Sequence, residues 1–254
     1  MPALGSEATG FRLEHVAEIG STNATLIERA HVGERGPLWL VSDVQVAGRG
    51  RNSRYWVSPA GNLYASLLLT DPAPPAQIAE LSFVFALALR DAVLAAAGLH
   101  DDGRFELKWP NDLMADGMKT AGLLLEGGQA AGVPFVVAGF GVNVVSHPEG
   151  TAHKATHVVA AGLTIDRDGL LVALSDAVAR RLGQWNRGTG FGAIRSDWLK
   201  HAYGLGRPMR VATLSRSFEA TFEGVDDTGR LIALTPAGRE VISAGEVFPL
   251  GSAA

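Results

Sequence analysis

Gly48-Arg49-Gly50-Arg51-Asn52-Ser53-Arg54-Tyr55-Trp56 is the stretch on which the reading of this chain turns. It follows an apolar run, Leu38 to Val46, that reads as a buried strand, so the motif begins where a sheet opens to solvent. Glycine lets the backbone approach a ligand closely, and guanidinium groups grip phosphate or carboxylate through paired hydrogen bonds. A cationic loop of this kind suits an anionic substrate whose charge must be shielded from water. By itself the cluster is equally compatible with a solvated basic loop or a nucleic-acid patch.

Bulk properties narrow the choice. A net charge of −4 over 254 residues argues against a general nucleic-acid binder, which needs a basic surface. The hydrophobic fraction, 47%, supports a full core in one large domain or one large plus one small. Cysteine is absent, which removes disulfides, thiol nucleophiles and cysteine-ligated metals. Met1 to Gly10 lacks the basic start and apolar run of a signal peptide. Ile78 to Gly98, the most apolar stretch, carries Glu80, Arg90 and Asp91 and reads as a buried helix rather than a membrane span. A cytoplasmic protein without membrane or DNA partners is the expectation.

Around the opening motif, strands and helices alternate. Phe11 to Ile19 reads as a strand, and Ser21 or Thr22 caps a helix from Ala24 to Ala30. Strands are expected at Asn62 to Leu69, Phe105 to Lys108, Lys119 to Glu126 and Pro134 to Val144. Late helices are expected at Asp168 to Trp185 and Phe191 to His201. Beyond Gly206 the texture changes to short strands, Met209 to Thr213, Ser217 to Val225, Leu231 to Thr235 and Glu240 to Ser243, separated by Gly-containing turns. That spacing describes a small β-barrel or sandwich. The boundary falls near Gly204, dividing residues 1–204 from 205–254.

Three further segments carry polar chemistry. Lys108-Trp109-Pro110-Asn111-Asp112-Leu113 ends a strand in a lysine, a stiff Trp-Pro unit and an Asn/Asp pair, and Lys119 lies seven residues past Asp112. Asp112 and Lys119 are expected to face each other across a hairpin joined flexibly by Met114 to Met118. Gly139-Phe140-Gly141-Val142-Asn143 offers a strand with bare backbone on one face, against which a flat ligand can lie. It lacks the third glycine and following helix of a dinucleotide fingerprint. Ser21-Thr22-Asn23 is explained as a helix cap, and the same groups are good donors for a ligand carbonyl.

In this combination and order, Ser-Thr-Asn, Gln45 with Gly-Arg-Gly-Arg-x-x-Arg-x-Trp, Lys-Trp-Pro-Asn-Asp-Leu with its later lysine, and Gly-x-Gly-x-Asn resemble the biotin protein ligases. The resemblance spans about Ile19 to Val144, and the small β-unit fits that family's C-terminal SH3-like module. It implies an α+β fold: a mixed-sheet, biotin/lipoate ligase-like catalytic domain with helices on the sheet, plus a small SH3-like β-barrel. The implied activity joins biotin and ATP, with Mg²⁺, into biotinyl-AMP. The biotinyl group then passes to a lysine of a biotin carboxyl carrier protein or domain.

Carried over residue by residue, the resemblance assigns Ser21, Thr22 and Gln45 to biotin's ureido ring and counts Asn23 among the binding residues, with sheet surface near Gly139 and Gly141 beneath the apolar rings. Arg49 and Arg51 would bracket the biotin carboxylate and α-phosphate, and Gly48 and Gly50 would permit close approach. Lys119 is the expected chief cation of the transition state. Asn111 and Asp112 would place nucleotide or Mg²⁺ or align the attacking lysine. Asn143 would meet the nucleotide, and Trp56 would offer an aromatic surface to adenine or to the folded loop. Ser53 stands where many relatives carry glycine. Only twenty residues precede Ser21, too few for the helix-turn-helix domain some members carry, so no operator binding is expected.

Two rival functions are a lipoate-type ligase or acyltransferase and a non-catalytic biotin-binding protein. The phosphate clamp of Arg49, Arg51 and Lys119 disfavours the second, because storage of a vitamin needs none. His147, His153 and His157 are read as solvated rather than as metal ligands. Homodimerisation through a sheet edge is left open.

Overall fold

The computed structural model of the chain describes residues 10–101, 103–150 and 154–250. Seven strands form one mixed sheet: β1 (Arg12–Ile19), β2 (Leu38–Gln45), β3 (Leu63–Thr70), β4 (Phe105–Lys108), β5 (Asp112–Ala115), β6 (Met118–Ala130) and β7 (Val133–Val142). Their order is β1-β2-β3-β7-β6-β5-β4, parallel between β1 and β2 and antiparallel elsewhere. The helices are α1 (Thr22–His31), α2 (Leu81–Ala96), α3 (Arg167–Trp185) and α4 (Phe191–Lys200).

The continuous apolar run of β2 follows from burial on both faces. Trp39 and Val41 join the large core shared with α2, α3 and α4, whereas Leu38 and Leu40 pack with Leu26 and Ala30 of α1 on the other side. The sheet is thus the middle of three layers, and α1 covers one face alone. That asymmetry leaves room for a cavity beside α1.

Five strands follow: β8 (Pro208–Ala212), β9 (Ser217–Val225), β10 (Leu231–Thr235), β11 (Gly238–Ile242) and β12 (Glu246–Pro249). They form an antiparallel sheet in the order β11-β10-β9-β8-β12, as an SH3-like unit requires.

Three expectations change. The connection from Met114 to Met118 is not a flexible link: β5 runs to Ala115, and Asp116-Gly117 makes a tight turn with φ of 49° and 74°. Asp-Gly is the dipeptide such a turn demands. The helix expected from Ile78 begins as a 3₁₀ turn, Pro75–Glu80, and becomes α-helical only at Leu81. The small sheet also has a strand the sequence reading did not include, β12. Met1 to Thr9 and His153 lie outside the described residues.

Candidate active site

Ser21 caps α1, its extended backbone leaving Oγ to accept from the Ala24 N–H at 3.4 Å. The cap delivers Thr22 and Asn23, both buried, onto the sheet. The Thr22 N–H and hydroxyl both donate to Gln45 Oε1, at 2.9 and 3.1 Å, and Gln45 Nε2 donates to Ser58 Oγ at 3.2 Å. Ser66 Oγ lies 2.7 Å from Thr22 Oγ1 and 2.6 Å from Asn23 Oδ1. Asn23 Nδ2 donates to Glu126 Oε2 at 2.9 Å and to the Leu124 carbonyl at 3.2 Å. The result is a rigid, mostly neutral network of donors and acceptors.

The floor beside it is made by β6 and β7, where Gly122 pairs with Gly141 and Leu124 with Gly139. A Cβ on Gly139 would stand 2.3 Å from Asn23 Oδ1, and one on Gly141 would stand 2.6 Å from Trp56 Cε2. The glycines therefore seat Asn23 and Trp56, and the expectation that a flat ligand lies directly on bare backbone is changed accordingly. The two seats are alternate positions on one face of β7, a step of about 7 Å.

The Arg/Gly segment is a small hairpin. Trp56 N–H donates to the Gly48 carbonyl (2.9 Å), Gly50 N–H to the Arg54 carbonyl (2.7 Å), and Arg49 bridges to Tyr55. At its tip Asn52 and Ser53 adopt φ of 55° and 57°. Arg49 pairs with Glu126 at 3.4 Å, half-exposed. Arg51 donates to Asn111 Oδ1 (3.3 Å) and to the Gly245 carbonyl (3.2 Å), and Arg54 pairs with Glu246 at 2.8 Å. Two of the three arginines thus tie the hairpin to the small β-unit.

Lys119 Nζ lies 2.6 Å from Asp112 Oδ1 and 5.4 Å from the Trp56 ring centroid. Asp112 Oδ2 faces Lys108 Nζ at 3.4 Å. The Asp112–Lys119 pairing matches the sequence expectation, but the carboxylate is buried and shared between two lysines instead of forming a surface pair. Burial pushes the Lys108 ammonium below the usual lysine range; Asp112 opposes this and Lys119 reinforces it. Asn111 Nδ2 donates to the Leu123 carbonyl. Asn143, also buried, donates to the Thr156 carbonyl at 3.1 Å and so ties the segment after β7 to the backbone bridge between Lys119 and Ala155.

These groups enclose a cavity of about 310 Å³. Ser21, Thr22, Asn23, Gln45, Arg49, Gly50, Arg51, Trp56, Asn111, Asp112, Lys119, Gly139, Gly141 and Asn143 all line it. Gly48 does not; it sits behind the wall, where a Cβ would come within 2.5 Å of the Trp56 carbonyl oxygen and 2.6 Å of Ser58 Oγ. Sequence reasoning missed Ser66 and Glu246 in the lining and Glu126 behind it, and it quoted Lys108 within its motif without giving it a role. Ser66 carried a signal, a small hydroxyl side chain in the otherwise apolar and aromatic run from Leu63 to Leu69. Glu246 carried none, because it arrives from another sheet. His147 and His157 are not simply solvated: they are half-buried, with Nδ1 atoms 2.7 Å apart. Among the described residues no three His, Cys, Asp or Glu side chains form a group able to hold a metal, and no helix is long and apolar enough to cross a membrane.

Residues 19–143 match the Biotin/lipoate A/B protein ligase family and residues 204–248 the Biotin protein ligase C terminal domain. The chain is 42% identical to the biotin--[acetyl-CoA-carboxylase] ligase of Paracoccus denitrificans, over 92% of this chain and 98% of that one. It is 34% identical to the enzyme of the same name from Mycobacterium tuberculosis, over 97% and 92% of the two chains. A biotin protein ligase from Aquifex aeolicus, solved in complex with biotin and ATP, superposes with a TM-score of 0.78 at 26% identity, covering 93% of this chain and 97% of that one. With its sheet, its small C-terminal unit and its motifs all accounted for, the chain belongs to the biotin protein ligase family.

Proposed function

We propose that this chain is an ATP-dependent biotin ligase. It would form biotinyl-5'-AMP and then biotinylate a lysine on a biotin carboxyl carrier domain. The observation that carries this reading is one cavity joining a neutral hydrogen-bonding network at one end to Arg51, Lys119 and Asp112 at the other, across a glycine floor. Thr22, Asn23 and Gln45, with Ser21 at the cap, offer the donors and acceptors a cyclic urea needs. Trp56 and Leu124 supply apolar surface for the fused rings.

Adenylation joins a biotin carboxylate oxygen to the α-phosphorus of ATP and breaks the bond to pyrophosphate. Two anions must meet, so the barrier is largely electrostatic, and Arg49, Arg51 and Lys119 are the cations available to lower it. Arg49 must exchange Glu126 for substrate; at 3.4 Å and half-exposed, that ion pair is weak enough to give way. In the second step the acceptor lysine amine attacks the acyl carbon and AMP leaves, with Asp112 aligning the amine. Mg²⁺ fits as an ion brought by the triphosphate and held mostly by phosphate oxygens: both Asp112 oxygens already face lysines, and the Asn111 side-chain oxygen, which accepts only a long 3.3 Å bond from Arg51, is the hard protein ligand at the cavity that would join it. When bound it would neutralise phosphate charge. We place the catalytic domain at residues 1–204 and the SH3-like domain at 205–254, in a cytoplasmic enzyme.

The test is pyrophosphate release by the purified chain with ATP, Mg²⁺ and either biotin or lipoate, without acceptor. A burst with biotin alone is expected. A burst with lipoate alone would keep the chemistry and overturn the substrate, and silence with both would leave a binding protein.

A further inference from the structure

Lys108 is the most deeply buried cation at the site, its side chain only 3% exposed. Removing an ammonium from water is costly even after relaxation, yet its compensation is slight. Asp112 Oδ2 stands at 3.4 Å, the Phe248 ring of β12 at 5.2 Å, and Glu246 contributes at longer range. A methionine of similar length would fill the same space without that desolvation. A buried charge cluster of this kind is poor evidence for stability, so the charge calls for another reason.

Geometry supplies one. Asp112 has two oxygens and two lysines: Oδ1 takes Lys119 at 2.6 Å and Oδ2 faces Lys108. Without Lys108 the carboxylate could turn both oxygens toward Lys119 and draw that ammonium away from the cavity. We propose that Lys108 is a positioning residue for the adenylation step: it holds Asp112 one oxygen per lysine, so that Lys119 stays presented to the substrates. The ring of Phe248 backs Lys108 from the small β-unit, so the docked β12 becomes part of the same device. This inference rests on the ligase function proposed above and adds to it a residue that acts through Asp112.

The experiment is a double-mutant cycle on the full chain with Lys108→Met, Asp112→Asn and the pair combined, read as the burst rate of pyrophosphate release with ATP, Mg²⁺ and biotin. Lys108→Met is expected to slow the burst by about 10- to 100-fold, the usual cost of losing a partner that orients a reacting group. The half-saturating biotin concentration should stay within about threefold. On the Asp112→Asn background the same change should cost less than about twofold, because the group it acts through is already disabled.

An unslowed burst in Lys108→Met, or an equal loss on both backgrounds, overturns the proposal. If Lys108→Met fails to fold, Phe248→Leu keeps the ammonium and removes its aromatic face. That variant should slow the burst about threefold on the native background alone, and an unchanged rate would then be decisive against the idea. A silent wild-type chain would instead sink the ligase function and the role of Lys108 with it, so the two failures are distinguishable.

Discussion

A single methyl group at position 139 would have to share space with Asn23 Oδ1, 2.3 Å away. Asn23 cannot step aside cheaply, because Ser66, Glu126 and the Leu124 carbonyl fix it on three sides. Gly139→Ala is therefore expected to rotate Asn23 out of the network and weaken biotin binding by about tenfold or more, the equivalent of one misplaced hydrogen-bonding group. Isothermal titration calorimetry measures this directly, and an unchanged dissociation constant would mean that Asn23 does not contact biotin. The residue types at the site were legible because the chemistry dictates them: cations for anions, amides and hydroxyls for a polar head, glycine where chains must touch. Their partners were not legible. Asn23 and Glu126 are 103 positions apart and Arg51 and Gly245 are 194 apart, and no local pattern in one sequence announces such pairs.

At the level of the element, the hairpin from Gly48 to Trp56 replaces the open loop that its composition suggested. Arginine and glycine content signals function well and conformation poorly, since the closure rests on backbone bonds that any residues can make. Its tip bears on the serine that stands where the resemblance leads one to expect glycine. Ser53 has φ 57°, a left-handed conformation that costs a non-glycine residue roughly 1–2 kcal/mol. Glycine there would relieve that strain but widen the freedom of the open hairpin, a loss of about 0.4–1 kcal/mol in the opposite sense. The two act in opposite senses and offset each other in part. Ser53→Gly should leave turnover within about threefold, because both effects fall on the tip of the hairpin while Arg49 and Arg51 keep their places on the cavity wall. A large gain in turnover, or adenylate appearing free in solution, would show that Ser53 governs the hairpin. The strand β5 escaped the sequence reading for a related reason: its four residues are all buried and show no alternation, so only the Asp116-Gly117 turn betrays it.

At the scale of the whole molecule, the two sheets are joined by specific contacts as well as by chain. Trp109 Nε1 donates to the Gly229 carbonyl at 3.1 Å, Arg195 Nε to the Val225 carbonyl at 2.7 Å, and Trp198 meets Phe222 edge-on. The change of texture after Gly206 revealed the second unit, but not that it packs against the Trp109 corner beside the site. Acid stability tests the charge network spread over this frame. Hydrogen bonds from Arg29 and Arg12 hold the Glu34 carboxyl down at about 2. A hydrogen bond from Lys200 leads the same effect at Asp197, to about 2. At Asp226 burial pushes upward, but bonds from Arg230 and Thr228 prevail and bring it to about 2. A carboxyl depressed on folding binds fewer protons in the native state, so its contribution is complete above the ordinary value near 4 and disappears as pH falls toward 2. Glu80 and Glu106 run the other way: burial raises both, so they favour the folded state more as pH drops through the range just above 4. Glu34, Asp197 and Asp226 sit in different parts of the chain and, with Glu14, Asp43 and Asp101, whose carboxyls are also held down by charged or hydrogen-bonded neighbours, should dominate below pH 4. Burial also holds the His157 and His201 imidazoles below their usual value, so the unfolded chain binds more protons below about 6.5; the urea midpoint is therefore expected to slip modestly between about pH 7 and 5 and to fall steadily from about pH 4 to 2. A midpoint that holds or rises over that lower interval would show that these ion pairs do not stabilise the native state.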